Sequence, residues 1–236
     1  MKIKLLLLVI SLNFSFSSSY QFISKAGNST VLNFSNSQLN IEEKDGFSRI
    51  SSGDNSSTAE EGMPELPLYT SFFQMDPSKE YSVDYNVVSS HIISDIDIYP
   101  FQGHEGGELS RDFKISNDVY NSNLNYPEQN ISLSKPMVMR DIEVGLISLI
   151  PFNYDFNNKT LEVFDEVEIV INEIGDRVSS SNIPDKRSLL FEPFYQQLVV
   201  NYEPLESRND YQVSSILYIC GGSSITQPYV LDLIEW

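Results

Sequence analysis

Cys220 is the single cysteine of the 236-residue chain, and a cysteine thiolate is a strong side-chain nucleophile. A catalytic thiol needs an imidazole beside it, and the sequence holds only two histidines, His91 and His104, both far upstream. Cys220 closes the apolar run at residues 214–220, where a structural thiol at a buried strand end is the better reading. His104-Glu105-Gly106-Gly107-Glu108 has the look of a metal loop. A zinc-binding helix would need a second histidine where Glu108 stands, and two adjacent glycines oppose a helix. Gly221-Gly222-Ser223-Ser224 could cradle an anion at a helix N-terminus. It lacks the spaced glycines of a dinucleotide site and the lysine of a P-loop, so a plain strand-to-helix turn is favoured. No catalytic group, metal ligand or cofactor is assigned, and the chain by itself is expected to be inactive.

The elements around these residues explain why the chemistry is missing. Residues 214–220 suit a short buried strand, and residues 225–236 carry helical spacing, with Ile225, Tyr229, Leu233 and Ile234 on one side. Thr226 or Gln227 could cap that helix, since Pro228 is tolerated in a first turn. A buried strand feeding a helix opens a parallel α/β domain, which needs several such units to cover its sheet. Residues 213–236 are therefore expected to be the truncated start of such a domain, and residues 203–212 the linker leading into it.

The other end of the chain is an export signal. Met1-Lys2-Ile3-Lys4 is basic, residues 5–12 are apolar, and residues 15–19 are small, with Ser17 and Ser19 placed for cleavage after Ser19. The apolar run is far shorter than the roughly 20 residues that span a bilayer, so no membrane span is expected. Losing Lys2 and Lys4 with residues 1–19 takes the formal charge from −18 to −20. Nucleic acid and anionic membranes are poor partners for such a surface, because phosphate binding relies on clustered Lys and Arg. A lone cysteine also excludes an internal disulfide framework. Five Asn-x-Ser/Thr sequons, at Asn28, Asn33, Asn55, Asn130 and Asn158, are no more than a chain rich in Asn and Ser produces by chance.

Between the ends the dominant period is two. Residues 20–61 are rich in Ser and Asn, with one or two weak strands expected over residues 30–41. At Gly62 the character changes to Met63-Pro64-Glu65-Leu66-Pro67-Leu68, an extended lead-in. Tyr81, Val83, Tyr85 and Val87 then alternate with polar residues, and Ile92, Ser94, Ile96 and Ile98 are expected to continue on one face. Residues 102–130 read as a long polar loop, a length that is usually functional or mobile. Ile142, Val144, Leu146 and Ile150 share a face in the next strand. Leu161, Val163, Val167, Ile169 and Ile171 line its hairpin partner, with Glu162, Glu166 and Glu168 on a wet side. Residues 173–188 look like a linker, and the apolar residues 189–202 either return to the sandwich or bridge onward. The fold expected is mainly β: an antiparallel β-sandwich over residues 62–202, followed by the truncated α/β start.

Three patches in this order resemble one family. They are Gly62-Met63-Pro64-Glu65-Leu66-Pro67 with the strand at 81–88; then Tyr126-Pro127, Met139-Arg140-Asp141, Ile150-Pro151-Phe152-Asn153-Tyr154 and Leu161-Glu162-Val163-Phe164; then Leu217-Tyr218-Ile219 with residues 231–236. Together they are similar to the propeptide of gingipain-type cysteine endopeptidases plus the first strand and helix of a caspase-like catalytic domain. The resemblance implies a prodomain that assists folding of the catalytic domain, inhibits it and is removed on activation. The Cys-His dyad of the family would lie beyond Trp236. The implied partner is the cognate catalytic domain in cis, and the implied location is extracellular or the cell surface.

Such a prodomain commonly offers its enzyme an extended, poorly cut segment, and the family is known for cleavage after Arg or Lys. Arg111 and, second, Lys114 are the basic side chains of the 102–130 loop and the candidates for the specificity pocket. Removal needs an accessible cut, and Arg177, Lys186 and Arg187 in one polar stretch or Arg208 in the next could supply it. Arg208 is the better site for the final cut, because a cut at Arg187 leaves the apolar residues 189–202 on the enzyme. The rival reading is a secreted β-sandwich binding or adhesion module that happens to precede another domain.

Overall fold

The computed structural model describes residues 19–36, 38–53, 56–103, 112–122, 124–178, 183–212, 222 and 227–235. Its strands are β1 (Tyr20–Ala26), β2 (Ser29–Ser35), β3 (Asn40–Lys44), β4 (Phe47–Ser51), β5 (Ser56–Ser57), β6 (Pro67–Met75) and β7 (Lys79–Ile93). After helix α1 (Asn117–Tyr120) come β8 (Asn125–Tyr126), β9 (Ile131–Leu133), β10 (Met137–Met139), β11 (Ile142–Leu149), β12 (Phe152–Asp155) and β13 (Thr160–Asp176). Helices α2 (Glu192–Leu198) and α3 (Pro228–Glu235) follow.

Strand β13 organises the larger sheet. Antiparallel β7 runs along one of its edges, while β2 and β12 share the other, with β1 beyond β2 and β8 beyond β12. In the smaller sheet β11 lies between β6 on one side and β9 and β10 on the other, and β5 pairs with β6. Strands β3 and β4 form a separate ribbon.

The alternation that marks β13 is physical. Leu161, Val163, Val167, Ile169 and Ile171 are all buried, while Glu166 and Glu168 face water. Opposite them stand Tyr69, Phe73 and Met75 of β6 and Ile147 and Leu149 of β11, closing one core between the sheets. Each of these large side chains contributes about 1.5–3 kcal/mol on burial. The result is the antiparallel sandwich that the sequence predicts.

Strand β11 is buried on both faces. Its Ile142 and Val144 look away from the core and are covered by Tyr195 and Val199, with Phe72 and Phe191 at the edge. The apolar residues 189–202 thus return to the sandwich, as a 3₁₀ turn (Leu189–Phe191) and α2 laid on the outside of the smaller sheet. Val200 N–H closes the contact by donating to Phe72 O at 2.9 Å.

Four local expectations need correction. Strand β11 is not the hairpin partner of β13: it lies in the smaller sheet, and the chain crosses over at Pro151 so that β12 pairs with β13 instead. Ile92 does not share a face with Ile96 and Ile98. It is 67% exposed whereas they are 4% and 0% exposed, because β7 stops at Ile93 and Asp95 turns the chain at φ +57°. The Ser/Asn-rich residues before Gly62 are not peripheral: β1 and β2 belong to the larger sheet, and Leu32 and Phe34 are fully buried. Residues 102–130 are not irregular throughout, since α1 and β8 fall within them. Pro228 opens α3, as its place in a first turn requires. The strand expected at residues 214–220, with Cys220, lies outside the described residues, as does the His104–Glu108 stretch.

Candidate functional site

The described stems of the 102–130 segment meet on a braced platform. The incoming stem pairs with the Gly62-Met63 lead-in: Gly62 N–H donates to Phe101 O and Phe101 N–H to Met63 O, both at 2.8 Å. The outgoing stem returns to the same place, where Ser116 N–H donates to Gly62 O at 2.9 Å. Gly62 holds φ +82°, and a Cβ there would sit 3.2 Å from Ser116 N, so glycine is needed for both its backbone angle and the close approach.

One amide ties the stems together. Gln102 Nε2 donates to Pro100 O at 2.9 Å and to Lys114 O at 2.7 Å, while its Oε1 accepts from Lys114 N–H at 2.9 Å. Phe113 stacks on Phe47 with ring centroids 5.7 Å apart and meets Tyr99 edge-on at 6.0 Å. Lys114 is not a free side chain: its Nζ lies 2.7 Å from Glu61 Oε2. Arg111, just before this anchored stem, lies outside the described residues. The platform therefore anchors Phe113 and Lys114, two and three residues after Arg111, and commits Lys114 to a local ion pair.

The two processing candidates differ sharply. Arg187 is half-buried and built into long-range contacts. Its carbonyl accepts from Gln212 N–H at 2.7 Å, and its guanidinium donates to Tyr202 Oη and Glu203 O, each at 3.2 Å, while lying over the Tyr202 ring. Tyr202 in turn donates to the buried Glu192 carboxylate; burial, then this carboxylate, push its hydroxyl pKa up. Arg208 instead starts an exposed 3₁₀ turn (Arg208–Asp210) whose own bonds are short-range, Asp210 N–H to Ser207 O at 3.0 Å and Tyr211 N–H to Arg208 O at 3.3 Å, with Lys186 Nζ donating to Asn209 O from outside it at 2.9 Å.

The Met139-Arg140-Asp141 patch explains how the arm of residues 188–202 is fastened. Arg140 turns at φ +56° and lays its guanidinium 4.2 Å over the Phe191 ring. The buried Asp141 carboxylate accepts from Ser188 N–H at 2.8 Å and Tyr195 Oη at 3.3 Å. The sequence alone gives these residues no role. An Arg-Asp pair directly before a strand is the one visible sign, and its partners lie some fifty positions away.

At the N-terminal side, Ser19 O accepts from Ser35 N–H at 2.9 Å, and Tyr20 is buried with its hydroxyl donating to Tyr69 O at 2.9 Å. A cut after Ser19 would leave Tyr20 in the core. His91 places Nδ1 2.9 Å from both oxygens of Asp165 on the exposed face of β7. Among the described residues no group of three His, Cys, Asp or Glu is placed to hold a metal ion, and no helix is long and apolar enough to cross a membrane.

Comparison with known proteins agrees with this geometry. Residues 21–208 match the profile of the family Propeptide_C25. Gingipain R1 of Porphyromonas gingivalis is 26% identical over 152 residues, covering 62% of this chain and 15% of that protein. Gingipain R2 of the same species is 26% identical over 189 residues, covering 75% of this chain and 25% of that protein. The chain thus spans about a quarter or less of the length of these curated relatives. Among solved structures, the complex of Porphyromonas gingivalis RgpB pro- and mature domains superposes with a TM-score of 0.63 at 19% identity, covering 78% of this chain and 96% of that one. A structure addressing the zymogenic latency of gingipain K from the same species gives 0.56 at 17% identity, covering 69% and 96%.

A β-sandwich with a braced loop and an outlying helical arm is thus the fold of a peptidase prodomain. The chain belongs to the Propeptide_C25 family: it is a gingipain-type propeptide, and not an adhesion module.

Proposed function

We propose that this propeptide is exported, with cleavage after Ser19, and that it restrains a cysteine-peptidase catalytic domain continuing the same chain until the connection is cut at Arg208. The observation that carries the restraint is the clamp under the 102–116 segment. A segment offered to an active site inhibits well only if little ordering remains to be done on binding. Gln102, Gly62 and Phe113 fix the two stems of the segment, at 101–102 and 113–116, beforehand. Arg111 is the residue assigned to the specificity pocket. Lys114 is secondary, since it must first leave Glu61. The acidic surface of the propeptide keeps it soluble once outside the cell.

The test is inhibition of the cognate catalytic domain by the separately added propeptide. Removing one partner of a buried interfacial charge pair costs about 2–5 kcal/mol, so Arg111→Ala should weaken inhibition roughly 30-fold or more. Lys114→Ala should have a much smaller effect. Unchanged inhibition by the Arg111→Ala/Lys114→Ala double variant would refute the loop assignment.

A further inference from the structure

The contacts that lock Arg187 are supplied by residues on the far side of Arg208. Tyr211 forms a parallel bridge with Arg187, and Gln212 donates its backbone N–H to Arg187 O at 2.7 Å and its side-chain amide to Lys186 O. Lys186 Nζ reaches back to Asn209 O at 2.9 Å. Tyr211 is 7% exposed, and its hydroxyl accepts from Leu205 N–H at 3.0 Å. None of these contacts depends on the Arg208–Asn209 peptide bond. All of them join a residue before that bond to a residue after it.

We propose that residues 209–212 are a built-in tether. After a cut at Arg208 they become the new amino terminus of the downstream domain, yet remain seated as a short strand on residues 186–187, with Tyr211 as the anchor. Cutting and release are then separate events, and what stays seated on residues 186–187 is the segment Asn-Asp-Tyr-Gln itself. The proposal rests on the reading that the connection is cut at Arg208. It goes beyond that reading by assigning what holds the cut chain together. A linked segment rebinds at high effective concentration, so even a weak strand contact prolongs a complex that has other contacts.

The experiment uses the chain from Tyr20 to Trp236 with the recognition sequence of a site-specific protease inserted between Arg208 and Asn209. The cut then yields a native Asn209 terminus whether or not Arg208 is the natural site. Ultrafiltration over a dilution series, with the 28-residue peptide 209–236 measured in the filtrate, gives its dissociation constant. Tyr211→Ala should weaken retention roughly 10- to 150-fold, the ratio corresponding to burial of one large side chain. Tyr211→Phe, which keeps the ring, should stay within a few-fold of the parent. Free passage of the parent peptide at every concentration, or equal retention of Tyr211→Ala, would overturn the tether. An uninserted chain whose Arg208 bond resists an arginine-specific peptidase would instead count against the processing site alone.

Discussion

The contrast between Arg187 and Arg208 has a quantitative consequence for limited proteolysis. A peptidase must draw several residues around the scissile bond into an extended strand, so the cutting rate follows the population of the locally open form. Opening at Arg187 breaks its carbonyl bond to Gln212 and two guanidinium bonds, and withdraws Tyr211 from its site. With about 0.5–1 kcal/mol for each hydrogen bond and about 2 for the ring, this sums to roughly 4 kcal/mol, or one open molecule in about a thousand. Opening at Arg208 breaks an exposed turn and the bond from Lys186 Nζ to Asn209 O, at about 2 kcal/mol. Initial cutting by an arginine-specific peptidase should therefore be about 30-fold faster after Arg208 than after Arg187. The Tyr211→Ala variant removes about 2 kcal/mol of the barrier to opening and should speed the Arg187 cut roughly 30-fold, with a smaller gain at Arg208, where it loses the bond from Leu205 N–H. Intact-mass time courses of fragments ending at the two residues read both rates. Equal initial rates in the parent, or an Arg187 rate unmoved by Tyr211→Ala, would refute the reasoning.

Gly62→Ala should lower Tm by about 3–6 °C, from about 1–2 kcal/mol of left-handed strain, and weaken inhibition by pushing on Ser116. Gly46→Ala carries a similar strain at φ +80° but meets nothing within 4 Å, so its inhibition should be normal; identical behaviour of the two variants would separate Gly62 from the loop. In the β12–β13 turn, Asp155 accepts from Asn158 backbone N–H, its side-chain amide and Asn157 N–H, and these hold its carboxyl below the 3.8 of an unperturbed aspartate. A depressed carboxyl stabilises the fold above its unfolded pKa and loses that contribution as pH falls through the folded value. An NMR titration should place the Asp155 midpoint below 3.8, and a midpoint at or above it would contradict the turn geometry.

The strands most legible in the sequence were those with one wet face. In β13 the buried Leu161, Val163, Val167, Ile169 and Ile171 alternate with acids that need water, so the period of two is visible without neighbours. The same logic failed where tertiary packing set the pattern. Asp95 adopts a left-handed angle that no local signal demands, and it rotates Ile96 and Ile98 out of phase with Ile92. Helix α2 spans seven residues and turns inward chiefly at Tyr195, too little periodicity to read, because its partner Val144 lies fifty residues earlier in a strand buried on both faces.

The site divides in the same way. Residue type and family resemblance determine that this is a propeptide and that basic side chains in the loop and in the connecting stretches are the ones to test. That reasoning prefers Arg208 only because a cut at Arg187 leaves the apolar residues 189–202 behind; it says nothing of how accessible each bond is. The fold supplies that difference. Hydrogen bonds from Gln212 and the burial of Tyr211 close over Arg187, and the turn at Arg208 is left to solvent. Those contacts join residues more than twenty positions apart, and a linear pattern holds no record of which distant groups will meet.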